Sequence, residues 1–129
     1  MQGAGAVQDP DVRRQREVID AFLAASRRGD LDALLALLDP DVVLRMDRAV
    51  PPGAATETRG AVAVAKRAAK GGARAAQPAL VNGSVGVVVA PSGRLLMVLR
   101  FTISGGKIVE IEAIADPERV RQLDLAVLT

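Results

Sequence analysis

The chain contains no cysteine, histidine, tyrosine or tryptophan, and its only aromatic residues are Phe22 and Phe101. Without cysteine, neither a disulfide framework nor a thiolate zinc site is available. Without histidine, the commonest general base near neutral pH and the commonest metal ligand are both missing. Two aromatics cannot build the stacking platform of a single-strand nucleic-acid binder. Long hydrophobic runs are lacking too. The opening "MQGAGAVQDP" has no apolar stretch of the kind a signal peptide needs. The longest uncharged run, 75–93, is interrupted by Pro78, Asn82, Gly83, Gly86 and Pro91, so it reads as strands and turns rather than a membrane span. A cytoplasmic location with no membrane association is expected.

The chain does have apolar residues in quantity. They make up 50% of its 129 residues, enough for one domain with one core. The pI of 9.7 suggests a basic protein, but the net charge is only +2. No side chain titrates between the carboxylates and the lysines, so the charge curve is flat there and crosses zero only where Lys66, Lys70 and Lys107 deprotonate. The net charge is the better guide, and it does not describe a polyanion binder.

Residues 1–10 read as a flexible tail or linker and 11–129 as a single domain. Asp9-Pro10 resembles an N-cap followed by proline in the first turn, opening a helix with Val18, Ile19, Phe22, Leu23 and Ser26 on one stripe. Gly29 is placed to stop it. Asp30 caps a second helix, "LDALLALL", which Pro40 ends. "DVVLRMD" changes to period two, with Val42, Leu44 and Met46 on one face and Val43, Arg45 and Asp47 on the other. After the loop "RAVPPGAATETR", the alanine-rich "GAVAVAKRAAK" suits a third helix closed by Gly71-Gly72. Its basic residues Lys66, Arg67, Lys70 and Arg74 form either a nucleic-acid patch or, the preferred reading, a solvated face. "AQPALV" and "VGVVVA" flank the hairpin signal Asn82-Gly83. "RLLMVLRFTIS" and "KIVEIEAIA" are strands joined by "SGGK", and Asp116-Pro117 opens a short terminal helix, "ERVRQLDL".

This order predicts an α+β fold: a curved antiparallel sheet with three helices on its concave side and a short C-terminal helix. "VGVVVA" and "LLMVL" are apolar on both faces, so something must cover the second face. The candidates are a homodimer partner, another domain, or a loop of the chain itself.

"REVIDAFLAASRRGDLDALLALLDPDVVLRMD" resembles the start of SnoaL-like domains of the nuclear-transport-factor-like, cystatin-type superfamily. The nearest likeness is to the C-terminal extension of extracytoplasmic-function RNA polymerase sigma factors. Three later stretches carry the same resemblance. Val81-Asn82-Gly83-Ser84-Val85-Gly86 matches a "VNG-x-x-G" pattern, Gly105-Gly106-Lys107-Ile108 a "DG-x-I" turn, and Asp116-Pro117-Glu118-Arg119-Val120 an Asn-Pro-Asp-Lys-Leu motif. The family's Asp-Gly-Gly-Gly-Lys loop would begin at Asp47, where this chain instead has "DRAVPPG". The resemblance implies a non-catalytic regulatory module that modulates transcription initiation by packing on the sigma domains in an RNA polymerase context. It implies no direct nucleic-acid binding by this domain. The chain is then either an excised extension or a free-standing relative.

The same superfamily holds isomerase-like and epoxide hydrolase-like enzymes, and Asp47 lies about where the isomerase-like members carry their base. That alternative needs an oxyanion donor or a second carboxylate with an arginine. This chain offers no tyrosine, and only Arg100 with Glu110 or Glu112 as a set. Alternation places those three as a cross-strand surface group and keeps Asp47 off the apolar stripe. No catalytic residue is therefore assigned, Asp47 being the alternative. Met46, Asp47, Met97, Leu99 and Phe101 are expected to line a pocket for a small apolar ligand or to pack the core. No metal or cofactor is expected, and a homodimer through the sheet is.

Overall fold

A computed structural model describes residues 3–70 and 75–128, with side chains described from Val12 onward except that of Val127. Helix α1 spans Gly3–Arg28, so it runs through Asp9-Pro10 rather than starting there. Its buried residues, Ile19, Phe22, Leu23, Ala25 and Ser26, recur at helical spacing. The helix closes in a Schellman motif: Gly29 takes φ +65°, its N–H donates to the Ser26 carbonyl at 3.1 Å, and the Asp30 N–H donates to the Ala25 carbonyl at 3.0 Å. Asp30 then caps α2, Leu31–Leu37, by accepting from the Ala33 N–H at 3.1 Å. Helix α3, Ala61–Lys70, buries Val64 and Ala65. Gly71, Gly72 and Arg74 lie outside the described residues.

Seven strands form one open sheet: β1 Leu38–Met46, β2 Glu57–Arg59, β3 Ala76–Val81, β4 Ser84–Val89, β5 Met97–Ser104, β6 Lys107–Ile114 and β7 Leu125–Val127. Their order is β2-β1-β6-β5-β4-β3-β7. The sheet is mostly antiparallel, but β1 pairs parallel with β6, so the antiparallel expectation fails at that one contact. The parallel ladder joins the first long strand to one late in the chain, a long-range pairing that no local turn signal announces. The β3–β4 hairpin turns at Asn82 and Gly83 with φ of +50° and +86°, as a two-residue turn of this hand requires. The long strand expected from Arg94 begins only at Met97, since Pro91–Gly93 form a short 3-10 turn and Leu95 and Leu96 stay exposed.

The core lies between the helices and one sheet face, where Leu34, Val42, Val64, Val85, Val87, Ile108 and Ile111 are essentially sealed from water. Each such aliphatic side chain contributes roughly 1.5–3 kcal/mol by burial. Phe22 of α1 meets Phe101 of β5 edge to face, with centroids 5.6 Å apart. A bulge changes the expected face of β6. Thr102 opposes Glu110 and Ile103 opposes Ile108, which leaves Val109 over, so Ile108 and not Val109 joins Ile111 in the core.

Part of the second face is covered by the chain itself, while Gln77, Ser84, Arg100 and Thr102 on it stay exposed. After β6 the chain forms α4, Pro117–Arg121, and must cross three strands to reach β7 at the far edge of β3. Arg119 of α4 bonds Glu112, which points away from the core-facing Ile111 and Ala113, so the crossing runs over the second face. Val98, Ile114, Ala79 and Val81 are buried without belonging to the cluster beneath the helices. The crossing lands where the Asn82 side chain accepts from the Asp124 N–H at 2.8 Å and the Asn82 N–H donates to the Asp124 carbonyl at 2.8 Å. This capture of Asp124 explains why the expected terminal helix stops early and β7 follows as a strand on β3.

Gly86 sits under that crossing face. A Cβ there would lie 2.6 Å from the Leu99 carbonyl oxygen and 2.9 Å from Val81 Cγ2. Gly86→Ala is expected to cost about 1–3 kcal/mol through overpacking against backbone that cannot yield. Urea denaturation with an unchanged m-value measures it, and a variant as stable as the parent would refute the close-approach argument.

Candidate functional site

A cavity of about 420 Å³ opens between α1, α3 and the helix-covered sheet face, within the range of small-molecule sites. Its wall is almost entirely apolar. Phe22 and Leu23 come from α1, Leu44 and Met46 from β1, Met97 and Leu99 from β5, and Ile111 and Ala113 from β6. Val50 and Pro51, in the loop between β1 and β2, close one side. The period-two pattern of each strand puts these side chains on the face that α1 and α3 cover.

Three polar side chains are in the lining: Ser26, Arg67 and Lys70. Ser26 is only 6% exposed, and its hydroxyl has no hydrogen-bond partner among the described residues. It falls on the buried stripe of α1 one turn after Phe22, where an apolar residue would be usual. Arg67 is half-buried, and its guanidinium donates to the Ala55 carbonyl at 2.7 Å, to Thr58 Oγ1 at 3.0 Å and to Met46 Sδ at 3.0 Å. Arg67 therefore ties the β1–β2 loop over the cavity. Lys70 is exposed, and the described residues give it no carboxylate partner.

Asp47 is built into a different place. It follows β1 directly, on the face opposite Met46, and its N–H donates to the Ala113 carbonyl at 3.1 Å. One carboxylate oxygen accepts from the Ala115 N–H at 2.8 Å and the Asp116 N–H at 3.2 Å. The other accepts from Arg119 Nη1 at 3.0 Å. The side chain is only 14% exposed although the residue as a whole lies at the surface. Asp116 occupies the N-cap position of α4 and makes no side-chain cap bond, while its own N–H donates to the Asp47 carboxylate. Arg119 also reaches Glu112 at 3.2 Å; that hydrogen bond, together with the charge of Asp47, raises the guanidinium pKa above its ordinary value and keeps the group cationic.

No family model matches the chain. Among curated proteins it is 32% identical over 126 aligned residues to the ECF RNA polymerase sigma factor SigJ of Mycobacterium tuberculosis, a match covering 86% of this chain and 40% of SigJ. The crystal structure of SigJ superposes with a TM-score of 0.66 at 30% identity, covering 82% of this chain and 43% of SigJ. An NTF2-like protein from Burkholderia xenovorans superposes with a TM-score of 0.57 at 21% identity, covering 86% of this chain and 95% of that one, which speaks for the fold alone. The chain has an NTF2-like, cystatin-type fold. It resembles the C-terminal region of SigJ, and it spans well under half of that protein's length.

Of the residues expected at a pocket, this NTF2-like domain places Met46, Met97 and Leu99 in the cavity wall. Asp47 and Phe101 are not in that wall. Asp47 is turned away by strand alternation and held by the turn after β6, while Phe101 packs against Phe22 and borders a shallow, polar hollow on the second face. Arg100, Glu110 and Glu112 border the same hollow. Arg100 opposes Glu112 in register, yet the glutamates pair elsewhere: Glu110 with Arg45 at 2.6 Å and Glu112 with Arg119. These pairs are exposed, so each contributes little to stability. By sequence pattern Ser26 belongs to a core stripe and Arg67 and Lys70 to a solvated face, whereas the fold brings all three to the cavity. Only the position of Arg67 three residues after the buried Val64 hinted that it turns inward. Among the described residues no three His, Cys, Asp or Glu side chains converge as metal ligands would.

Asp47→Ala would leave the Ala115 and Asp116 N–H groups without their acceptor and is expected to cost about 1–3 kcal/mol, with Asp47→Asn costing less because an oxygen acceptor remains. Chemical denaturation compares the two variants. Equal stability of Asp47→Ala and the parent would show that the carboxylate does not hold the turn.

Proposed function

We propose that this NTF2-like domain is a non-catalytic regulatory and interaction module acting in the context of an extracytoplasmic-function sigma factor, in the cytoplasm, with a cavity that takes a small, mainly apolar ligand. The observation that carries the reading is the 32% identity to SigJ across 86% of this chain. The site supports a binding role over a catalytic one. The cavity wall contains no carboxylate, histidine or tyrosine to move a proton. The alternative enzyme based on Asp47 draws no support from the geometry, because both carboxylate oxygens are engaged by Ala115, Asp116 and Arg119.

The partners of this reading are the sigma domains that bind polymerase and promoter. A homodimer through the sheet draws less support, since Val98 and Ile114 on that face are already buried within the single chain. Direct duplex DNA binding draws none from α3, where Arg67 is half-buried and turned toward the β1–β2 loop and the cavity rather than presented on an outer basic face.

Calorimetric titration of the 129-residue chain into the isolated sigma domains encoded with it is expected to give saturable binding in the micromolar range or tighter. Transcription from the cognate promoter should then change when the chain is added in trans. Absence of any heat or pull-down at high micromolar concentration, with no effect on transcription, would overturn the regulatory reading.

A further inference from the structure

The cavity has an uneven distribution of chemistry. Its polar side chains are Ser26, Arg67 and Lys70, and every one of them can donate a hydrogen bond. Two are cations, and no acidic side chain shares the wall. A polar group sealed from water without a partner costs about 1–3 kcal/mol, so a buried hydroxyl is normally satisfied. The Ser26 hydroxyl is buried among Phe22, Leu23 and the sheet residues and has no protein acceptor or donor among the described residues. It is an independent sign that a polar atom from outside the chain enters this space. The two cations point to the sign of that atom's charge. Among the described residues Arg67 is engaged by a carbonyl, a hydroxyl and a thioether, none of which neutralises it. Lys70 has no carboxylate partner among the described residues.

We propose that the cavity binds an amphipathic monoanion, an apolar chain or ring carrying one carboxylate, with the carboxylate held by Lys70 and Arg67 and the apolar body lying against Met46, Met97 and Leu99. This deepens the ligand-binding part of the function proposed above and rests on it. The lining supplies what such a ligand needs. Burial of its hydrocarbon gives most of the affinity at roughly 25 cal/mol per Å². The paired cations select the acid from neutral or cationic molecules of the same shape, and their attraction is stronger beside a low-dielectric wall than in open water. Ser26 offers a further donor within the same cavity.

Decanoate, decanol and decylamine share one apolar chain and differ in the head group, so they separate the hydrocarbon contribution from the charge. Isothermal titration calorimetry with the 129-residue chain at low salt is expected to show decanoate binding about tenfold more tightly than decanol, and decylamine more weakly than either. Lys70→Gln, at an exposed position that need not disturb folding, should bring decanoate down to the affinity of decanol, and Lys70→Arg should retain the preference. Ser26→Met, filling the cavity, should remove binding of all three, with thermal denaturation confirming that the variant is folded. Equal binding of acid and alcohol by the parent chain, or a preference for the acid that survives in Lys70→Gln, would overturn the assignment of the carboxylate. No binding of any probe would overturn the cavity as a ligand site. Neither result touches the calorimetry with sigma domains, so this inference and the regulatory reading fail separately.

Discussion

One carboxylate decides how the second half of this molecule is put together. Asp47, just past the end of β1, accepts the N–H groups of Ala115 and Asp116 at the point where β6 leaves the sheet, and it pairs with Arg119 in the next helix. An acceptor there sets the direction in which the chain departs, over the second face of the sheet. Val98 and Ile114 on that face are buried, and the chain is received on the far side by Asn82. Because the carboxylate is charged and its donors include two backbone N–H groups, the contact is stronger than a neutral hydrogen bond. Its covered position also shields it from the screening that weakens the exposed pairs Arg45–Glu110 and Arg119–Glu112.

On the other side of the sheet, under the helices, space is left. Protein interiors usually pack as densely as organic crystals. Here the wall includes Ala68, Ala76 and Ala113, and only one aromatic side chain, Phe22, contributes to it. A composition this rich in alanine and valine and this poor in aromatics cannot fill the volume between α1, α3 and the sheet. The same scarcity that excluded aromatic stacking and imidazole chemistry therefore produces the cavity. Arg67 holds the β1–β2 loop against one side of it, so the mouth and the loop are coupled through one guanidinium.

An NTF2-like fold by itself says little about activity, because such frames host unrelated chemistries. What narrows the reading is which groups face which side. The side with the cavity has cations and a hydroxyl but no base. The side with the carboxylates Asp47, Glu110 and Glu112 has each of them paired with an arginine. The fold thus keeps the carboxylates Asp47, Glu110 and Glu112 apart from the apolar wall and its two cations.

Much of the fold was legible because its signals are local. Gly29 and Asp30 end one helix and start the next through contacts within a few residues, and Asn82-Gly83 sets its own turn. Alternation along "DVVLRMD" correctly separated Met46 from Asp47, and the motif "VNG-x-x-G" contains a glycine whose necessity is a close approach to Leu99 and Val81. The parallel pairing of β1 with β6, the strands β2 and β7, the bulge at Val109 and the engagement of Arg67 were not legible. Each depends on a partner distant in the sequence, and neither propensity nor periodicity encodes which partner that is. The sequence by itself determined the helices and long strands, the faces of α1 and β1, and the absence of histidine, tyrosine and cysteine. Only the tertiary structure decided that Asp47 serves the turn after β6 and that Ser26, Arg67 and Lys70 share one cavity, because those groupings exist only once the chain has brought its two halves together.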